Sequence, residues 1–291
     1  MKPSDTSFVI ASRNRAGELT TVVARLLDTT ACPIVVVDNA SEDDSVAIMR
    51  RLAARSARRL QLIELDTNRG AVARNAGVAA CITPYVAFCD DDSWWTPDSP
   101  AIGAELFDRH PSVGLLAART IIWPQRREDP FAGLLANSPL GHRQDLPGPS
   151  ILGFMSCAAM VRVRAFQQAG GFSDILHFRG EEQLLAFDLA ALGWDLCYCA
   201  QLTALHQPSQ VRAGTAAQNA RVLRNTTLTT WLRRPMPQCL RITAELICCA
   251  VKDREHARGA VEAIRKLPAV MRQRRLLPPN VEEAVAKLES Q

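Results

Sequence analysis

The sequence predicts an α/β protein with a mostly parallel sheet flanked by helices. Three observations carry that expectation. Short apolar runs alternate with segments of helical spacing through the first half of the chain. The run Ile34-Val35-Val36-Val37 is β-branched throughout and stops at Asp38, as a strand covered on both faces does. The run Tyr85-Val86-Ala87-Phe88-Cys89 stops in the same way, on Asp90, Asp91 and Asp92.

The elements follow in order. Phe8-Val9-Ile10-Ala11 reads as the first strand, and Leu19, Val22, Val23, Leu26 and Leu27 share one face of the helix after it. Ile34 to Val37 is the second strand. Ser41 is a candidate cap for the second helix, with Asp44 three residues on and Val46, Met49 and Ala53 facing inward. Leu60 to Leu65 gives a third strand, Gly70 to Cys81 an alanine-rich third helix, and Tyr85 to Cys89 the fourth strand. This order implies right-handed crossovers. A helix is expected from Asp98 to His110 and a strand from Val113 to Ala118. Residues 124 to 150 carry five prolines and three glycines and read as a long loop. Beyond it, Ser156 to Val163 reads as a strand, Gly170-Gly171-Phe172 as a turn, and Glu181 to Leu192 as a helix. Trp194 to Cys199 reads as a strand, and Thr215 to Leu232 and Leu240 to Val251 as helices. No internal repeat is visible.

Composition excludes several classes. At 291 residues the chain is long enough for one large domain with an appendage or for two small domains, and 47% apolar and 22% charged residues are ordinary globular values. A net charge of +4 and few aromatics give no nucleic-acid signature. Nine cysteines, odd in number and without a Cys-x-x-Cys pair, read as buried thiols of a reducing compartment. The first strand starts almost at once and no apolar stretch reaches membrane-span length, so no signal peptide and a cytoplasmic location are expected.

The chemistry centres on the three aspartates. Like charges at one strand end repel, and a hard divalent cation reverses that cost by taking carboxylate oxygens as ligands. A strand tip in an α/β sheet is also where ligands bind. The competing reading is a solvated acidic turn that caps the next helix. Glu181 and Glu182 open a helix, where acids are favoured by the helix dipole, and a carboxylate pair near a metal can also serve as a proton acceptor.

Five motifs occur in order: Asp38-Asn39-Ala40-Ser41; Asn68-Arg69-Gly70 with Ala73-Arg74-Asn75-Ala76-Gly77; Asp90-Asp91-Asp92; Gly170-Gly171-Phe172; and Gly180-Glu181-Glu182. Over residues 6 to 233 the chain thereby resembles a family 2 glycosyltransferase of the GT-A fold, a Rossmann-like architecture. The resemblance implies a nucleotide-sugar donor and Mg²⁺ or Mn²⁺. Asp38 would meet the donor base, uracil or thymine, and Ala11, Ser12 and Arg13 would line the same pocket. Arg74 would reach the base or diphosphate, with Arg69 a weaker candidate. Asp90, or Asp91, would touch ribose. Asp92, with Asp90 completing the Asp-x-Asp pattern and His206 joining the shell, would hold the metal. Glu182 would be the general base, although the family usually has Asp there. The extra methylene shifts the carboxylate by about 1.5 Å, so Glu181 stays an alternative. Trp94 and Trp95 would line the sugar cleft or pack in the core.

The implied activity is inverting transfer to a hydroxyl of a saccharide or lipid-linked saccharide in cell-envelope polysaccharide synthesis. A catalytically degenerate scaffold subunit is the alternative. A sugar-nucleotide nucleotidyltransferase is disfavoured, because Ala11 to Arg15 lacks a glycine-rich loop. The domains expected are a transferase unit over residues 1–233 and a helical C-terminal extension over residues 234–291. Leu240, Ile242, Leu246, Ile247 and Val251 beside clustered arginines leave two readings of the extension open: a packed cap, or a peripheral contact with the inner face of a membrane.

Overall fold

The computed structural model describes residues 4–208 and 215–290. Its first half follows the expected alternation: β1 (Thr6–Ser12), α1 (Ala16–Thr29), β2 (Ile34–Asp38), α2 (Ser45–Arg55), β3 (Leu60–Glu64), α3 (Ala73–Ala80) and β4 (Tyr85–Cys89). These four strands are parallel, in the order β3-β2-β1-β4. The tips of β1, β2 and β4 therefore point the same way, and Ser12, Asp38 and the three aspartates gather at one end of the sheet.

The second half makes the sheet mixed. β5 (Ser93–Trp95), α4 (Ser99–Arg109), β6 (Val113–Ile122), β7 (Arg127–Glu128), α5 (Pro130–Ala136), β8 (Ala159–Arg162), α6 (Val163–Ala169), α7 (Glu181–Ala191) and β9 (Asp195–His206) follow. The order continues from β4 as β8-β6-β9-β5, with β7 paired to β6. β8 is antiparallel to both β4 and β6, and β5 is antiparallel to β9, while β6 and β9 run parallel. Register places His206 opposite Ser93 and opposite Ile122, so a residue late in the chain sits beside the start of β5.

Four sequence expectations change. Ser41 does not cap α2; its Oγ accepts from the Asn14 N–H, and the Asp43 carboxylate accepts from the Ser45 and Ala16 N–H groups, serving both helix starts. The segment 124–150 is not a bare loop. Pro130 occupies the first turn of α5, with Asp129 accepting from the Phe131 N–H, so a proline read as a breaker is a helix starter. β9 runs on to His206, because the register steps from Ala118 opposite Cys199 to Arg119 opposite Thr203. The extra residues interrupt the strand pattern without ending the strand. Finally, a 3₁₀ turn over Gly70–Val72 leads into α3.

The sheet buries both faces. Phe8, Ile10, Val36, Leu19 and Leu26 pack on one side under α1, α2 and α4. Val9, Val35, Phe88, Phe166 and Phe172 pack on the other. α3 sits so close that a Cβ on Gly77 would stand 2.5 Å from Val9 Cγ1. The C-terminal region is helical: α8 (Thr215–Arg233), α9 (Met236–Lys252), α10 (Arg254–Gln273) and α11 (Pro279–Glu289). Leu228 and Leu232 of α8 share one apolar cluster with Leu246, Ala263 and Val270. Buried Arg234 ties α11 down through Glu282 and Glu289, at 2.8 and 2.7 Å.

The close seat of α3 yields a test. Gly77→Val should lower stability by about 2 kcal/mol through overpacking against Val9 and Val37. A denaturant melt measures it, and an unchanged midpoint would contradict the close approach.

Candidate active site

The site is built around one guanidinium. Arg74 is 6% exposed on α3, and its Nη2 lies 2.5 Å from Asp90 Oδ1. Burial alone would lower its pKa, but the charges of Asp90, Glu181 and Glu182 together raise it. Arg74 therefore stays charged and draws the tip of β4 and the start of α7 toward one point. The next residue, Asn75, completes the join: its Nδ2 donates to Phe172 O and its Oδ1 accepts from the Phe172 N–H, both at 2.9 Å.

The two glutamates are unlike. Glu181 is 2% exposed, and its Oε2 is buried with no hydrogen-bond partner. Burial, then the neighbouring Glu182 charge, pushes its carboxyl up to about 8, against the pull of Arg74. Glu182 is half-buried and accepts from Ser156 Oγ at 3.0 Å. Glu181 is thus sealed, with burial favouring its protonated form, whereas Glu182 is partly open and oriented.

The aspartates also part company. Asp90 faces Arg74. Asp91 accepts from Ser12 Oγ at 2.8 Å and lies 3.4 Å from Arg15 Nε. Burial, opposed by the Ser12 hydrogen bond and Arg15 but supported by the flanking aspartates, pushes its carboxyl to about 6. Asp92 Oδ1 lies 3.4 Å from His206 Nε2. Burial works to lower the imidazole, yet the hydrogen bond and charge of Asp92, with Asp90 behind, hold it above its usual value. Of the three expected metal ligands, Asp92 and His206 lie together, while Asp90 Oδ1 is held by Arg74. Among the described residues no three His, Cys, Asp or Glu side chains converge into a metal cluster. One carboxylate and one imidazole can still serve as two ligands of an ion that completes its shell with phosphate oxygens. That mixed donor set suits Mn²⁺ better than Mg²⁺.

Two cavities meet at Asp91. The first, about 280 Å³, is lined by Ala11, Ser12, Arg13, Asn39, Asn68 and Gly70, with Arg74, His177, Phe178 and Arg221. It unites the expected Ala11, Arg13 and Arg74. Asp38 does not line it. Asp38 is buried, its Oδ2 accepts from the Ser41 N–H at 2.9 Å, and its Oδ1 is buried without a partner. Arg69 is exposed and outside the lining. His177, Phe178 and Arg221 were not foreseen. The one sequence signal was Gly70: at φ +60° any Cβ there would meet the His177 carbonyl at 2.1 Å, and that carbonyl accepts from the Ala71 N–H. The second cavity, about 600 Å³, is lined by Arg15, Arg25, Asp92, Trp94, Trp123 and Gln207 among others. Trp94 reaches it with Arg25 over its ring at 3.9 Å. Trp95 is core, 1% exposed, with its indole N–H donating to Phe88 O.

The profile of glycosyl transferase family 2 matches residues 7–170. The chain belongs to glycosyl transferase family 2. It is 31% identical over 206 residues to a pre-mycofactocin glycosyltransferase of Mycobacterium tuberculosis, a match covering 67% of this chain and 41% of that protein. It is 33% identical over 97 residues to the succinoglycan biosynthesis protein ExoU of Rhizobium meliloti, covering 33% of this chain and 28% of that one. The chain thus spans well under half the length of these relatives. Among solved structures, the mannosyltransferase PcManGT of Pyrobaculum calidifontis, in complex with GDP-Man and Mn²⁺, superposes with a TM-score of 0.62. That match covers 100% of this chain and 80% of the other at 18% identity, and so shows the fold, GT-A.

The buried acid generates a pH test. The Glu181 carboxyl, raised from 4.5 to about 8, must ionise at a cost in the folded state, so its contribution to stability falls as pH climbs between those values. In chelator-containing buffer, Glu181→Gln should melt above the wild type at alkaline pH and show a smaller difference at about pH 5. Parallel melting curves across that range would refute the assignment.

Proposed function

We propose that this chain is an inverting glycosyltransferase that moves a sugar from a UDP- or dTDP-sugar to a hydroxyl of a saccharide or lipid-linked saccharide. The observation that carries the reading is the convergence on Arg74 of Asp90 and the Glu181–Glu182 pair, beside the Asp92–His206 couple. Such a site combines cationic and carboxylate groups suited to a diphosphate with a separately held proton acceptor.

The residues divide the work as follows. The cavity of Ala11, Arg13, Asn68 and Arg221 receives the nucleotide. Asp38 lies outside the lining of that cavity with its Oδ1 sealed, so its contact with the N–H on the pairing edge of uracil or thymine requires the pocket to open toward it on nucleotide binding. Asp91, fixed by Ser12, or Asp90 meets ribose. Asp92 and His206 would hold Mn²⁺ or Mg²⁺, which when bound neutralises charge on the leaving diphosphate. Arg74, kept charged by its carboxylate neighbours, adds fixed positive potential on the same side. Glu182, steadied by Ser156, takes the proton from the acceptor hydroxyl as its oxygen attacks the anomeric carbon opposite the departing diphosphate. Burial favours the protonated form of Glu181, which limits like-charge repulsion beside the base.

The relative named for succinoglycan biosynthesis supports a cell-envelope polysaccharide as the acceptor class. The same reading assigns residues 1–233 to the transferase unit and residues 234–291 to the extension, with the break at Pro235 between α8 and α9. Since the Pyrobaculum protein is described with GDP-Man, a donor panel for testing should include guanosine as well as uridine and thymidine diphosphate sugars.

Two outcomes are expected. Glu182→Gln should leave donor binding intact and cut turnover by about 100-fold or more, with Glu181→Gln milder; steady-state transfer and donor hydrolysis measure both. A reversed ranking would make Glu181 the base, and no turnover of any donor by the wild type with Mn²⁺ would favour a scaffold role. Asp92→Ala should remove the Mn²⁺-dependent part of donor binding, read by calorimetry, while circular dichroism stays native. Full activity of chelator-treated wild type would overturn the metal assignment.

A further inference from the structure

Most of the large apolar side chains that the described residues leave exposed lie between Met236 and Leu276. They are not scattered. On α9, Leu240, Ile247 and Val251 recur at spacings of seven and four, and they are 65%, 56% and 84% exposed. At 3.6 residues per turn they form one stripe. On α10, Ile264, Leu267 and Met271 form a second stripe, beside but not within the face that Ala263 and Val270 bury against α8. Burying the inner face thus leaves a second apolar face uncovered on each helix.

Charge accompanies the α10 stripe. Arg254, Arg258, Arg265 and Arg272 follow at spacings of four, seven and seven, which places them in one row. All four are exposed. Only Arg258 is paired, with Glu255 at 2.7 Å; Arg254, Arg265 and Arg272 make no ion pair among the described residues. The helix therefore presents an apolar stripe edged by cations that the protein does not neutralise.

We propose that the outward faces of α9 and α10 dock on an anionic lipid surface. The arginine row selects this occupant. Lying in the interface, the stripes enter the acyl boundary while guanidiniums meet lipid phosphates. A second copy of the chain is a poorer occupant, since a two-fold contact through α10 would bring two like-charged rows together. No helix among the described residues is long and apolar enough to cross a membrane, so the contact is a surface one. This inference does not depend on the transferase reading.

Co-sedimentation of the full chain with vesicles tests it. Binding to phosphatidylglycerol-rich vesicles should exceed binding to pure phosphatidylcholine by about tenfold or more at low salt, and fall by a similar factor at about 0.5 M salt. The triple variant Arg254→Gln, Arg265→Gln, Arg272→Gln should lose the preference for anionic vesicles. Ile264→Asp with Met271→Asp should lose binding at any salt, and because both side chains are exposed, circular dichroism should remain native. Absence of binding to anionic vesicles at low salt would overturn the proposal. So would equal binding to neutral vesicles, or a concentration-dependent dimer that the Ile264→Asp, Met271→Asp variant abolishes without any vesicle binding.

Discussion

One buried cation organises the site. Asp90, Asp91, Asp92, Glu181 and Glu182 come from two distant segments and would repel one another if all were ionised. Arg74 offsets that repulsion from the middle. It is nearly sealed from solvent, so its field is weakly screened. The same burial forbids its removal without leaving carboxylates uncompensated, which is the costly case for buried ion pairs. The remaining excess of acid is eased by the burial that favours a protonated Glu181 and by tying Asp91 to Ser12 and Arg15. The acidic cluster is therefore differentiated: Asp90 is held by Arg74, Asp91 by Ser12 and Arg15, Asp92 lies beside His206, Glu182 is held by Ser156, and Glu181 is sealed by packing.

Helix α3 turns that electrostatic centre into a mechanical one. Gly77 lets the helix rest on Val9 and Val37, Arg74 grips Asp90, and Asn75 grips Phe172 through both ends of its amide. α8 supports the same region from the other side. Asn225 Nδ2 donates to the carbonyls of Phe178 and Arg179, and Arg224 to Leu176, so the segment entering α7 is held before Glu181 begins.

Much of this was legible in the chain, and the reason differs by region. β1, β2 and β4 are parallel strands buried on both faces, so their centres are unbroken apolar runs, and those of β2 and β4 run straight into Asp38 and Asp90; the edge strand β3 is half-open and reads less clearly. The Asp92–His206 pairing was readable only through resemblance, since nothing local to His206 marks it. β9 hid its second half behind a register step, and α5 hid behind a proline that starts it. The difference in burial between Glu181 and Glu182 was invisible because adjacent letters carry no burial; only packing of α7 separates one sealed acid from one held by Ser156. His177 and Arg221 reach the cavity through tertiary packing, and an exposed-looking arginine on a polar helix gives no sign of that.

The register of β9 against β5 has a consequence for the chain as it is made. The wall built by β1, β2 and α3 depends on nearby segments and can form early. Asp92, by contrast, meets His206 only when β9, over a hundred residues later, slots between β6 and β5. Contacts so remote in sequence carry a large loop-closure cost and tend to form late. A nascent chain would therefore own much of the wall of the smaller cavity well before its Asp92–His206 couple, and it would acquire that couple as the sheet closes.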